Sequence, residues 1–379
     1  MSLIVDEHRQ YLDDPVRLAA FESAIRARVR PGSVVLDLAS GTGILGLIAC
    51  RAGAARVYSM EAGAMVQVAR GVAAENGYAD RVHFIKGNSL HLSLPERVDV
   101  VMSDQIGNFG FNAGVVEFYA DARERFLKPG GAMVPARVDL VVAPVENADL
   151  AAQVSFWDSA PGGFAFHSVA ELAANTGYQI ELVSGQIMGE PAVLASLPLG
   201  APAAPIRGRA LLKAARAGVL HAVGGWFVAE LAPGAAMTNS PLAAARIHRR
   251  QVAFPVRPAM RLGAGDEVVV EMAILPKDGI VSWDVEARAA GGGARQRSER
   301  HSTWKGMLLD NECVARTRPD SVPVLNDRGA ARRTVVELCD GRRSLREIEE
   351  QLWQRHRELF ATRGEAEEFA AEVVTRYAV

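Results

Sequence analysis

A chain of 379 residues, 49% hydrophobic and 23% charged, has room for a substantial core and for two or three domains. Its net charge of −2 speaks against a nucleic-acid partner, which needs a concentrated basic surface. No apolar run approaches the roughly 20 residues that cross a bilayer, and Cys50, Cys313 and Cys339 are too scattered for a metal-ligand motif.

In chain order, MSLIVDEHRQYLDD is acidic and too short in apolar run for a signal peptide, so the expectation is a reduced cytoplasmic protein with no membrane, metal or nucleic-acid partner. Val16, Ala20, Phe21, Ala24, Ile25 and Val29 recur at helical spacing up to Pro31-Gly32. SVVLDL then predicts a buried strand, SGTG a tight turn and ILGLIACRAG a helix. ARVYSME, RVHFIKG and RVDVVMSD predict three more strands, with AGAMVQVARGVAAENG as an intervening helix. A helix is expected from about Val115 to Leu127, followed by a turn at LKPGG. Strands alternating with crossover helices predict an α/β domain, a mostly parallel sheet covered on both faces, over residues 1–135.

From residue 136 to about 305 the pattern changes to short strand-like segments, among them DLVVAPV, VGGWFVAELA, QVAFPVR, DEVVVEMAIL and GIVSWDVEARA, separated by Gly/Pro turns. They predict a β-barrel-like domain, with PAVLASLPLGAPAAPI (191–206) as a long connection and AAGGGARQ (289–296) as a loop. The last part, residues 306–379, predicts a small helical unit. Its elements are a helix closed by Gly341, a second opened by the Ser344/Glu347 capping box with a Leu345, Ile348, Leu352 stripe, and a third with Phe369, Val373 and Tyr377 inward.

The stretch VLDLASGTGILG, with Glu61 following Asp37 by 24 residues, is the main functional signal. A strand, a glycine turn and a helix place free backbone N–H groups over the strand ends, and Gly41 and Gly43 let the chain turn there. Glu61, at the end of the next strand, can accept two hydrogen bonds from a ribose diol. Asp37 would repel a pyrophosphate but suits a sulfonium and an ammonium, which favours S-adenosylmethionine over a nicotinamide dinucleotide.

The run VVLDLASGTGILGLIACRAGAARVYSMEAG resembles the first two motifs of the protein arginine methyltransferases, class I S-adenosylmethionine-dependent enzymes with a Rossmann-like domain. The resemblance begins at His8 and DDPVR (13–17), continues through HFIKG, VDVVMSDQIGNF and RFLKPGGAMVPARVDL, and weakens after about residue 140. It implies that Arg17 grips the methionine carboxylate of the cofactor, that Asp37 lies near its amino end, and that Glu61 holds the ribose. Ala39 stands in the place of the first glycine, and Asn88, Ser89 and Leu90 belong to the same cofactor site, Leu90 where an adenine-contacting glutamate falls. His248, in SPLAAARIHRRQVAF, takes the place of the histidine of a threonine–histidine–tryptophan loop, while Arg249 replaces the tryptophan.

In SDQIGNFGFNAGV the family's two guanidinium-clamping glutamates fall on Asp104 and Ala113, and Glu117 lies four residues beyond Ala113. A guanidinium benefits from two carboxylates. The residues therefore lead to the expectation of an acceptor other than arginine, with Asp104 and His248 as catalytic residues and Gln105, Asn108, Asn112 and His8 on the substrate side. Residues 316–379 resemble the small winged-helix-like peptide-chaperone domains of peptide-modifying pathways, which would hold a leader peptide by sheet-edge addition. Together these lead to the expectation of a methyltransferase acting on a side chain of a ribosomally made peptide. Methylation of a free metabolite and a non-catalytic cofactor-binding scaffold remain the alternatives. A homodimer follows from the resemblance, with a candidate arm in ELAANTGYQIELVSG (171–185).

Overall fold

Asp14 caps the helix α2 (Pro15–Arg28), which follows α1 (Ile4–Leu12): its side chain accepts from the Arg17 N–H, and Pro15 occupies the first turn, where a missing N–H costs nothing. The protein is described here from a computed structural model that covers residues 4–290, 295–308 and 311–378. It divides into two compact units, residues 1–307 and 308–379.

In the larger unit, β1 (Val34–Leu38), α3 (Ile44–Arg51), β2 (Arg56–Glu61), α4 (Met65–Glu75), β3 (Val82–Lys86), β4 (Val98–Met102), α5 (Val115–Arg125) and β5 (Leu127–Val134) follow in order. The strands form one parallel sheet, β3-β2-β1-β4-β5. All five residues of β1 are buried, as a central strand covered on both faces requires. The chain runs outward from β1 to β3 and then returns to β4 on the other side of β1. That reversal opens a crevice at the carboxyl ends of β1 and β4, where ligands bind in open α/β sheets. The LKPGG stretch is not a turn: it forms the first half of β5, with a register shift against β4 between Val98 and Val100. The extra length of β5 between Leu127 and Ala132, which pair with Val98 and Val100, absorbs the glycines, which a propensity reading takes for a chain reversal.

The rest of this unit is β-rich. It comprises β6 (Arg137–Val145), α6 (Ala148–Ser155), α7 (His167–Ala174), β7 (Tyr178–Ile180), β8 (Ala192–Pro198), β9 (Ile206–Lys213), β10 (Gly218–Ala232), β11 (Ala235–Thr238), β12 (Gln251–Leu262), β13 (Glu267–Leu275) and β14 (Ile280–Arg288). One sheet has the order β7-β12-β10-β6-β8, and a second contains β14, β13 and β9. The expected connection at 191–206 contains a real strand, β8, antiparallel to β6. Part of the expected arm, Tyr178–Ile180, is a strand of the chain's own sheet, paired with β12. Four residues of the expected loop at 289–296, 291–294, lie outside the described residues.

The smaller unit packs α9 (Asp327–Leu338), α10 (Leu345–Arg355) and α11 (Arg363–Tyr377) around Val335, Leu352, Phe369 and Val373; α8 (Asn311–Arg316) precedes them. Ser344 and Glu347 form the expected capping box. Two inward assignments fail: Leu345 is 40% exposed and Tyr377 is 62% exposed, because each sits at a helix end, beyond the reach of the neighbouring helices. Among its described residues this unit contains no strand. Its described residues therefore show neither a wing nor the sheet edge that leader-peptide addition needs. Among the described residues no helix is long and apolar enough to cross a membrane, and no group of three metal-ligating side chains occurs.

Candidate active site

The crevice over the sheet is a cavity of 360 Å³, lined from α1 and α2 by Glu7, His8, Tyr11 and Arg17 and from the strand ends by Asp37, Glu61 and Asp104. Its two ends are built differently.

At one end, β1 delivers Asp37 into the interior, where one carboxylate oxygen accepts from the Gly46 N–H at 3.0 Å. The other oxygen, Oδ1, is buried and has no partner among the described residues; the same holds for Ser40 Oγ. Burial pushes Asp37 up to about 7, against the Gly46 N–H and the more distant Arg17, which act to lower it. A buried carboxylate in this state calls for a cation. The turn that follows carries Ala39 at φ 51, the one non-glycine residue with positive φ among the described residues, then Gly41 at φ 53 and Gly43 at φ 77. Glu61, at the end of β2, braces this turn by accepting from the Gly41 N–H at 2.9 Å and the Gly63 N–H at 2.6 Å. A carboxylate has further lone pairs, so these bonds leave capacity for a ribose diol. His8 packs directly on Gly41, where a Cβ would come within 2.5 Å of its ring. The first helix thus covers the turn, and the glycine is needed for that approach.

At the other end, Ser103 and Tyr119 fix the segment that follows β4. The Ser103 hydroxyl donates to the Leu38 carbonyl at 2.8 Å, and Tyr119 donates to the Val134 carbonyl at 2.5 Å. Asp104 follows, its side chain 12% exposed, and one oxygen, Oδ2, takes both Arg17 Nε at 2.5 Å and Arg249 Nη2 at 3.0 Å. Burial acts to raise this carboxyl, but Arg249 and Arg17 outweigh it and hold it below the usual carboxylate range. Its second oxygen, Oδ1, is buried without a partner among the described residues. Two of Arg17's five N–H donors are used, by Asp104 and by the Tyr11 carbonyl at 3.1 Å.

Of the residues singled out in the sequence, Arg17, Asp37, Ala39, Gly41, Glu61, His8, Asp104, Gln105 and Asn108 line this one cavity. Asn88, Ser89 and Leu90 do not. They form a single turn beyond β3, in which Asn88 caps the Leu90 N–H, and Leu90 is 40% exposed. Gly43 caps α3 rather than lining the cavity. Asn112 closes its own loop, accepting from the Asn108 and Phe109 N–H groups at 2.9 and 3.0 Å. Ala113 lines the cavity but Glu117, in the first turn of α5, does not, so Glu117 supplies no second carboxylate here. The His248 side chain is exposed and away from the cavity; its backbone N–H donates to Asp14 Oδ2 at 2.6 Å.

Tyr11, Asn239 and Gln251 carry no signal in the linear pattern. Asn239 is fully buried and ties the loop before β12 to the hairpin after β4, donating to the Asn108 carbonyl at 2.8 Å and to the Arg250 carbonyl at 2.9 Å. Gln251 donates to the Asn239 carbonyl at 2.6 Å and accepts from the Leu182 N–H at 2.8 Å. A lone Asn in TNSP reads as a turn residue, and only its burial shows that it is a brace.

Comparison with known proteins agrees with this geometry. Residues 30–183 match a family model described as a methyltransferase domain. A protein arginine N-methyltransferase 6 from Danio rerio is 32% identical over 159 residues, 41% of this chain and 46% of that protein. Protein arginine N-methyltransferase PRMT10 from Oryza sativa subsp. japonica is 39% identical over 145 residues, 38% of each chain. The chain thus spans less than half the length of these curated relatives.

A solved structure of protein arginine methyltransferase 10 from Arabidopsis thaliana superposes with a TM-score of 0.68 at 22% identity, over 78% of this chain and 97% of that one. The Trypanosoma brucei PRMT1 enzyme–prozyme complex gives 0.70 at 21% identity with the same coverage, which establishes the likeness of fold. These relatives are arginine methyltransferases by name, and they overturn the expectation of a peptide-tailoring enzyme whose acceptor is not arginine. Counting carboxylates in the hairpin was too narrow a criterion. Residues 30–183 form a class I S-adenosylmethionine-dependent methyltransferase domain, and the chain that carries it is related to the protein arginine methyltransferases.

Proposed function

We propose that this chain transfers the methyl group of S-adenosylmethionine to a guanidinium nitrogen of an arginine side chain in a protein. The observation that carries the reading is at Asp104. The acceptor end of the cavity already holds a guanidinium, that of Arg249, against a carboxylate at 3.0 Å, the Gly107 carbonyl at 3.4 Å and the Tyr11 ring at 5.8 Å. A carboxylate, a carbonyl and an aromatic face are what an arginine side chain seeks.

When bound, the cofactor supplies a methyl group on a positively charged sulfur. Asp37 and Glu61 are the residues that suit its ammonium and ribose, and Arg17 its carboxylate. The chemical demand on the protein is alignment of the acceptor nitrogen with the methyl carbon and exclusion of water. Asp104 serves orientation: a carboxylate held below its usual range is a poor proton acceptor. The α1 helix, with Tyr11 and His8 on the cavity, supplies the cover. A homodimer belongs to the same reading. The excursion around α6 and α7 presents Phe156, 50% exposed, and Phe164, 72% exposed, as apolar surface for it.

The test is transfer of labelled methyl from S-adenosylmethionine to arginine-containing protein substrates, with the modified residue located by fragmentation mass spectrometry. Methylarginine in the product, absent when the target arginine is replaced by lysine, is the expected result. Turnover of the cofactor with label on any other residue type would refute the reading.

A further inference from the structure

We infer that Arg249 is a built-in competitor for the substrate's guanidinium. It sets acceptor selectivity: an arginine flanked by acidic residues is the preferred target. The inference rests on the arginine-methylation reading above.

Arg249 is seated as an acceptor would be. Its side chain is only 11% exposed, it lines the cavity, and its guanidinium lies 5.8 Å from the Tyr11 ring centroid and 6.0 Å from that of Phe227. Yet the seat is half used. Arg249 and Arg17 both bond to Oδ2 of Asp104, while Oδ1 is buried without a partner among the described residues. A guanidinium recognised in the stronger, bidentate manner needs both oxygens, so Arg249 must leave before a substrate arginine can engage fully.

Charge leads to the same exchange. Arg17, Arg249 and Asp104 together carry one net positive charge in a poorly hydrated pocket. A third guanidinium entering without the departure of Arg249 would face two cations around one carboxylate.

The backbone is arranged so that only the side chain need move. The His248 N–H is held by Asp14 at 2.6 Å, the Arg249 carbonyl accepts from Gln251 at 3.2 Å, and the Arg250 carbonyl accepts from the buried Asn239 at 2.9 Å. Once displaced, Arg249 emerges beside the exposed Arg250, a guanidinium of its own sign. An acidic residue next to the target arginine gives it a new partner there and favours the open arrangement.

The experiment measures KM and kcat on paired peptides, each with one arginine flanked either by glutamates or by glutamines, for the full chain and for Arg249→Gln and Arg249→Lys. For the unmodified protein we expect a lower KM on the glutamate-flanked peptide. Arg249→Gln should lower KM for the glutamine-flanked peptide about tenfold, as expected for loss of one charge-assisted competitor, with kcat changed far less. It should also narrow the preference for acidic flanks. Arg249→Lys, which keeps the charge but cannot reproduce the planar contact, should fall between. Cofactor affinity and melting temperature identify a variant that has merely misfolded, in which case Arg249→Lys alone carries the test. Arginine methylation with KM unmoved or raised in the variants overturns the competitor role while leaving the enzymatic reading intact. Absence of methylarginine from the unmodified protein and both variants overturns the enzymatic reading and this inference with it.

Discussion

The two ends of the cavity hold the same kind of residue in opposite electrical states. Asp37, at the cofactor end, is buried beside one backbone N–H, has an unpartnered oxygen, and is pushed up to about 7. Asp104, at the acceptor end, is nearly as buried but carries two arginines on one oxygen and is held below its usual range. Burial alone drives both upward, so the difference comes from the counter-charges the chain supplies. One carboxylate waits for a cation from outside, whereas the other has been given two from within. On the proposed reading, the cofactor end is completed by binding and the acceptor end by exchange.

The comparison breaks most visibly if Asp104 is removed. Asp104→Ala leaves Arg17 and Arg249 facing each other without a counter-ion, and breaking a buried ion pair from one side costs roughly 3–5 kcal/mol. We expect a loss of that order in denaturant unfolding together with loss of methyl transfer. If stability is unchanged, the two arginines are better hydrated than their 6% and 11% side-chain exposures imply.

Asp37→Asn tests the opposite end. Loss of a charge-assisted contact to the cofactor's ammonium should weaken cofactor binding by on the order of 10- to 100-fold in calorimetric titration. The sign of the pH dependence follows from the raised value of about 7. In the ligand-free protein Asp37 adds stability while protonated, and that contribution fades as pH rises from the ordinary carboxyl range through about 7. On the proposed reading cofactor binding requires the carboxylate, so affinity should strengthen between pH 5.5 and 7.5, with release of a proton on binding. Asn at this position should abolish both trends. A wild-type affinity that is flat across this range would mean that Asp37 does not meet the ammonium.

These two ends also explain what could be read from the sequence. The cofactor end is local: the strand, the glycine turn and Glu61 all fall between residues 34 and 61, so spacing alone places them together. The acceptor end is assembled from segments 87 and 145 residues apart, Arg17 with Asp104 and Asp104 with Arg249. Linear reading identified Arg249 as a departure from a motif, but not that its side chain returns to the carboxylate. His248, chosen for its chemistry, instead serves through its backbone N–H. The smaller helical unit shows the same limit. Ser344 and Glu347 are local and were legible, while the absence of a strand among its described residues is a matter of tertiary packing, which short apolar patterns do not encode.

The smallest effect probes whether the cofactor turn is as fixed as its bonds suggest. Ala39 stands at φ 51, in the left-handed region where a Cβ costs roughly 1–2 kcal/mol and glycine costs nothing. Ala39→Gly removes that strain but gives the unfolded chain more freedom, which opposes it by about 0.4–1 kcal/mol. Relief of strain outweighs the entropy, so the variant should be more stable by roughly 0.5–1 kcal/mol, a rise of one or two degrees in melting temperature. Because Gly41 and Glu61 hold the turn from the far side at 2.9 Å, cofactor affinity should change little. A destabilised variant would show that the turn relaxes around Ala39. A stabilised variant with markedly weaker binding would show that the alanine methyl touches the cofactor, extending the rigid end of the cavity by one side chain.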